Sequence, residues 1–165
     1  MSRKINTKDL VHKIEKLTKE RMSQADVVDM NDLRRLRDKK IRRTVLMIED
    51  DDTIRAAIKR MLEGEGYGVL AAADGSELTS VLSDSAIDLI ILDVGLPWIN
   101  GFELAEMMKA NDDLKDIPLI FLSGQTSDDD VKRGFDVGAD DYIKKPFDLE
   151  KVRRTVNTLI HLAHD

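Results

Sequence analysis

The chain has no cysteine. That excludes disulfides, thiolate chemistry and cysteine-based zinc sites, and it fits a reducing compartment. No apolar run approaches the roughly twenty residues of a membrane span; the runs at 45–48 and 89–92 are four residues each. The basic N-terminus lacks the apolar stretch of a signal peptide. A soluble, cytoplasmic protein without membrane contact is therefore expected. Aromatic residues are scarce, at 4% of the chain, and residues 1–43 contain none. Hydrophobic residues, in contrast, make up 42% of 165 positions, enough for one ordinary core and too many for a disordered chain.

Charge is divided unevenly. Residues 1–43 hold 14 Lys+Arg against 7 Asp+Glu, a balance of +7, while residues 44–165 hold 12 against 25, a balance of −13. We read this as a basic helical arm, 1–43, and an acidic domain, 44–165.

From Thr44 onward short apolar runs alternate with amphipathic stretches. Strands are expected at 45–48, 67–72, 87–92, 117–122 and 139–143, and helices at 53–63, 76–83, 101–110, 128–137 and 149–162. Asp52, Asn100 and Asp148 stand where helix caps belong, Gly64 and Gly66 where the first helix stops, and Asp128, Asp129 and Asp130 suit the positive end of a helix dipole. The alternation implies a parallel sheet with right-handed crossovers and helices on both faces.

In such a sheet, ligands bind beyond the carboxyl ends of the strands. Glu49, Asp50, Asp51 and Asp52 follow the first strand, Asp93 the third, Ser123 the fourth, and Lys144, Lys145 and Pro146 the fifth. Clustered carboxylates repel one another unless a cation joins them, and a hard divalent ion such as Mg2+ suits an all-oxygen site. A carboxylate beside that ion can attack phosphorus, and a hydroxyl and an ammonium can hold the transferred oxygens. Each group also has a plain reading. The acidic run serves as a solvated loop with a cap, Lys145 as a surface lysine, Ser123 as a loop serine and Tyr142 as a static edge residue.

The order of the motifs carries more than any one of them. VLMIEDD at 45–51, LDVGLP at 92–97 with Asn100-Gly101, Ser123 thirty residues after Asp93, Tyr142, and KPF at 145–147 together resemble two-component response-regulator receiver domains over residues 44–165. The resemblance implies a flavodoxin-like doubly wound fold with a five-stranded parallel sheet in the order 2-1-3-4-5, and a cis bond from Lys145 to Pro146. It implies Asp93 as phosphoacceptor, and Glu49, Asp50, Asp93 and the Gly95 carbonyl around Mg2+. It further implies Ser123 and Lys145 on the phosphoryl oxygens, with Tyr142 swinging inward as Ser123 moves. The phosphoryl donor would be a histidine kinase or a histidine phosphotransfer protein. The domain would catalyse only its own phosphorylation and dephosphorylation, and it would signal to a downstream protein target. Gly95 offers the acyl phosphate no shielding side chain, Gln125 can orient a water but cannot act as a base, and Gly124 replaces the commoner alanine.

Residues 1–43 lie outside the resemblance. Thr7 can cap a helix with the stripe Leu10, Val11, Ile14 and Leu17, and a second helix from Asn31 carries Leu33 and Leu36 among arginines and lysines through Arg43. We read the arm as an interaction element able to form a homodimer. The alternative, a transcriptional or RNA-level effector whose arm binds nucleic acid, is less favoured because the arm has neither aromatics nor a reading motif. His12, His161 and His164 read as exposed helix residues.

Overall fold

Strands covered on both sides need apolar residues at every position, and the runs 45–48, 89–92 and 119–122 supply them. The computed structural model describes residues 42–83 and 85–164 together with 11, 12 and 14–16. Five strands, β1 (Thr44–Ile48), β2 (Gly68–Ala72), β3 (Leu89–Asp93), β4 (Leu119–Ser123) and β5 (Asp141–Lys144), alternate with five helices. These are α1 (Asp52–Gly64), α2 (Gly75–Leu82), α3 (Gly101–Lys109), α4 (Asp128–Asp136) and α5 (Leu149–His164). Every pairing is parallel and the order is β2-β1-β3-β4-β5, as expected.

The pleat sorts side chains by parity. Leu46, Ile48, Ile90, Leu92, Leu119, Phe121 and Tyr142 face one layer, with Leu78 of α2 and Phe102, Leu104 and Met108 of α3. Val45, Met47, Leu89, Ile91, Ile120, Leu122 and Ile143 face the other, with Ile58 and Leu62 of α1 and Val152, Val156 and Ile160 of α5. Burying each such side chain contributes about 2 kcal/mol before entropy is charged against it.

Asn100 and Asp148 cap α3 and α5, accepting from the Phe102 and Lys151 amides at 2.8 and 2.7 Å. The cap of α1 is Asp51 rather than Asp52: its carboxylate accepts from the Ile54 amide at 3.0 Å, and Asp52 is the first helical residue, paired with Arg55. Ser127 caps α4 ahead of its three aspartates. Gly66 ends α1 at φ +94°, where a side chain would be strained.

β2, β3, β4 and β5 each begin one or two residues later than the apolar pattern predicts, and at β3 and β5 an aspartate stands at the entry. Asp88 accepts from the Thr44 amide at 2.8 Å and meets Arg43 and His164 at 3.7 and 3.6 Å. Asp140 accepts from the Leu119 amide at 2.9 Å. Short side-chain acceptors of this kind replace ladder carbonyls.

The chain divides into two units, residues 1–41 and 42–165. Of the arm, Val11, His12, Ile14, Glu15 and Lys16 are helical and exposed. The expected cap Thr7, the stripe residues Leu10 and Leu17 and the helix start at Asn31 lie outside the described residues. Arg42 and Arg43, read as the end of that second helix, are not helical: the Arg43 carbonyl accepts from the Gly68 amide at 2.8 Å and so already pairs with β2. Among the described residues no helix is long and apolar enough to cross a membrane.

Candidate functional site

Glu49 follows β1 directly, Asp93 closes β3, and the register pairing Ile48 with Leu92 sets the two ends side by side. Carboxylate oxygens of Glu49, Asp50 and Asp93 lie within 4.8 Å of one another. Glu49 and Asp93 are only 1% and 5% exposed, whereas Asp50 is open to solvent. Parity explains the gathering. Glu49, Asp93 and Lys145 continue the alternation that turns Met47, Ile91 and Ile143 toward α1 and α5. The Lys145 Nζ accordingly reaches Glu49 Oε2 at 3.1 Å and Asp93 Oδ2 at 3.4 Å. Ser123 and Tyr142 have the opposite parity, that of Phe121 and the α2–α4 layer.

One ammonium therefore serves two buried carboxylates. Burial, and then the neighbouring Asp93 charge, push the Glu49 carboxyl above its ordinary range, with Lys145 pulling the other way. Burial also raises Asp93, against the Gly95 amide and Lys145. For Lys145, burial works against the charge, but the two anions outweigh it and hold the ammonium above its usual value. The lysine gains from seeing two anions, while each anion shares one cation and faces another anion. The site is short of positive charge. A donor set made wholly of carboxylate oxygens fits a small, hard divalent cation.

The Gly95 amide donates to Asp93 Oδ1 at 3.0 Å, and a Cβ on Gly95 would sit 3.8 Å from that oxygen, in ordinary van der Waals contact. Ser123 is fully buried and its Oγ accepts from the Gln125 amide at 2.9 Å. The Tyr142 ring is already inside, 6% exposed and packed on Phe121, with its hydroxyl donating to the Gln125 carbonyl at 2.5 Å. The Lys145–Pro146 peptide is cis.

Several residues shape the site by packing, and only Gly101 among them belongs to a motif read above, as part of Asn100-Gly101. Gly101 brings the start of α3 against β3: a Cβ there would meet the Asp93 carbonyl oxygen at 2.4 Å. Gly134 of α4 leaves room for the Tyr142 ring, which a Cβ would meet at 2.7 Å. Trp98, in the loop after Asp93, lies on the start of α2, where a Cβ on Gly75 would meet its ring at 3.3 Å. Arg55 binds the acidic loop from α1. Beyond the Asn100-Gly101 motif, a spacing argument, Arg55 one turn after the acidic run, is the signal that could have pointed to one of them.

The family model described as the response regulator receiver domain matches residues 45–157. The aerobic respiration control protein ArcA of Escherichia coli K12 is 39% identical over 116 residues, 70% of this chain and 48% of that protein. The transcriptional regulatory protein AfsQ1 of Streptomyces coelicolor is 43% identical over 103 residues, 62% and 44% of the two. The chain thus spans about half the length of the curated relatives it matches. Among solved structures, the chemotaxis protein CheY4 of Vibrio cholerae superposes with a TM-score of 0.67 at 31% identity, covering 72% of this chain and 98% of that one. The non-phosphorylated HemR receiver domain of Leptospira biflexa gives 0.66 at 36% identity, covering 72% and 94%.

Proposed function

The chain belongs to the response regulator receiver family, and from that premise we propose that Asp93 accepts a phosphoryl group from a phosphohistidine of a histidine kinase or a histidine phosphotransfer protein. The observation that carries the reading is the triad of Glu49, Asp50 and Asp93 carboxylates within 4.8 Å, with Lys145 on two of them. Glu49, Asp50, Asp93 and the Gly95 carbonyl would hold Mg2+, which supplies charge neutralisation for the anionic phosphoryl group when bound. A carboxylate oxygen of Asp93 attacks phosphorus in line, the P–N bond of the donor breaks, and the donor imidazole leaves as a neutral ring after taking up a proton. The Lys145 ammonium, already at 3.4 Å from Asp93, exchanges a carboxylate partner for a phosphoryl oxygen. Ser123 gives the other oxygen contact once its hydroxyl is released from the Gln125 amide, and that release, through the Gln125 carbonyl, loosens Tyr142. The readout is a conformational change offered to a downstream protein.

The arm, residues 1–43, is proposed as a helical interaction element that forms a homodimer; Val11 and Ile14 are 51% and 47% exposed in the single chain. The relatives named as transcriptional regulators match this chain over less than half of their own length, so their names do not by themselves bring nucleic-acid binding here; salt-dependent retention of the arm on DNA tests that alternative. A cytoplasmic setting follows from the donor chemistry.

The central test is labelling. Acetyl phosphate with Mg2+ should add one phosphoryl group by intact mass, and Asp93→Asn should abolish it. Undiminished incorporation into Asp93→Asn sinks the assignment.

A further inference from the structure

Four acids stand in a row after β1, and only two of them join Asp93. Asp51 is committed to capping α1, with its carboxylate on the Ile54 amide at 3.0 Å. Asp52 is 90% exposed and paired with Arg55. The backbone of the same turn is held as well. Arg55 Nη1 donates to the Glu49 carbonyl at 3.0 Å and to the Asp50 carbonyl at 3.2 Å, while Nη2 takes the Asp52 carboxylate.

Carbonyl oxygens are themselves good ligands for hard cations, so a loop with two unpartnered carbonyls beside an acidic cluster could offer the ion the wrong atoms. We propose that Arg55 is a positioning residue that clasps the Glu49 and Asp50 carbonyls away from the ion and leaves their carboxylates facing Asp93. The proposal rests on reading Glu49, Asp50 and Asp93 as the cation site. It does not require Arg55 to touch cation or phosphoryl group.

Charge and position act here with opposite signs, which makes the inference decidable. A guanidinium near the site repels a divalent cation, so removing it for its charge alone tightens Mg2+ binding. Removing it for its grip loosens the loop and weakens binding, on the scale of tenfold to a hundredfold seen when the groups that orient metal ligands are lost. A lysine keeps the charge but cannot span two carbonyls and a carboxylate as a planar fork does.

The experiment is a calorimetric Mg2+ titration of the full chain as wild type, Arg55→Ala and Arg55→Lys, with hydrogen exchange in the metal-free proteins at the Asp51 amide, which donates to Glu49 Oε1 at 3.2 Å. Arg55→Ala should bind Mg2+ about tenfold more weakly, Arg55→Lys should lie closer to it than to wild type, and the Asp51 amide should exchange faster in both. Equal or tighter binding by Arg55→Ala, or full recovery by Arg55→Lys, overturns the proposal. Should Arg55→Ala fail to fold, Arg55→Lys decides alone by the same criterion. If the wild type binds no Mg2+, the cation site itself falls and takes this inference with it, whereas wild-type binding with indifferent variants removes the inference only.

Discussion

Asp93 is buried and is penalised for being charged there. Its carboxyl and that of Glu49 are raised mainly by burial, so the folded chain holds their protons more tightly than the unfolded chain does. The sign follows: their contribution to stability is most favourable at low pH and is lost as pH rises from the ordinary carboxylate value through the raised folded one. At neutral pH without metal, Asp93→Asn should therefore stabilise the domain by about 1 kcal/mol, a few degrees in melting temperature. The gain should shrink as Mg2+ is added, since the ion relieves the same repulsion in the wild type. Protons compete for the same oxygens, so Mg2+ affinity, read from the single Trp98, should fall as pH drops through that raised range. Lys145→Ala should act in the opposite direction, costing on the order of 3 kcal/mol because two buried anions lose their cation. Part of that loss should return when Asp93→Asn is added, and strictly additive melting temperatures would contradict the shared-cation account.

Among the elements, α4 and β5 meet through a glycine. The absent Cβ of Gly134 is what admits the Tyr142 ring beneath α4. Gly134→Ala should push the ring outward, raise nitration of Tyr142 by tetranitromethane, and cost about 1–3 kcal/mol by overpacking; unchanged nitration would show that α4 moves instead. Contacts of this kind depend on what another element brings, so nothing in the local run around residue 134 announces them. The strands themselves were legible because both faces are apolar, and so was the site, because Glu49, Asp93, Ser123 and Lys145 fall at strand ends. Their edges were less so. At 88 and 140 an aspartate in an otherwise apolar approach serves as an acceptor for a neighbouring strand, at the entries of β3 and β5. At 51 and 52 two adjacent aspartates look equivalent as caps until Arg55 claims one of them.

At the scale of the whole molecule, the acidic domain and the basic arm pose separate questions. Arg42–Asp165 forms its own contact unit, so deleting residues 1–40 should leave a domain that still takes phosphate from acetyl phosphate. If the arm makes the homodimer, the full chain should sediment as a dimer at micromolar concentration and the shortened chain as a monomer; two monomers would leave the arm without that role. The parity of the pleat also bears on how this gene can tolerate change. Each central strand behaves like a reading frame with a period of two. Removing one codon between Leu89 and Asp93 would turn Asp93 away from Lys145 and exchange the two core layers along β3. One codon gained or lost in the turn at 111–117, where no strand is read, would keep the frame. In an unbiased library of single-codon insertions and deletions, survivors should thus cluster in the loops and be missing from β1, β3 and β4, while those same strands still admit conservative substitutions.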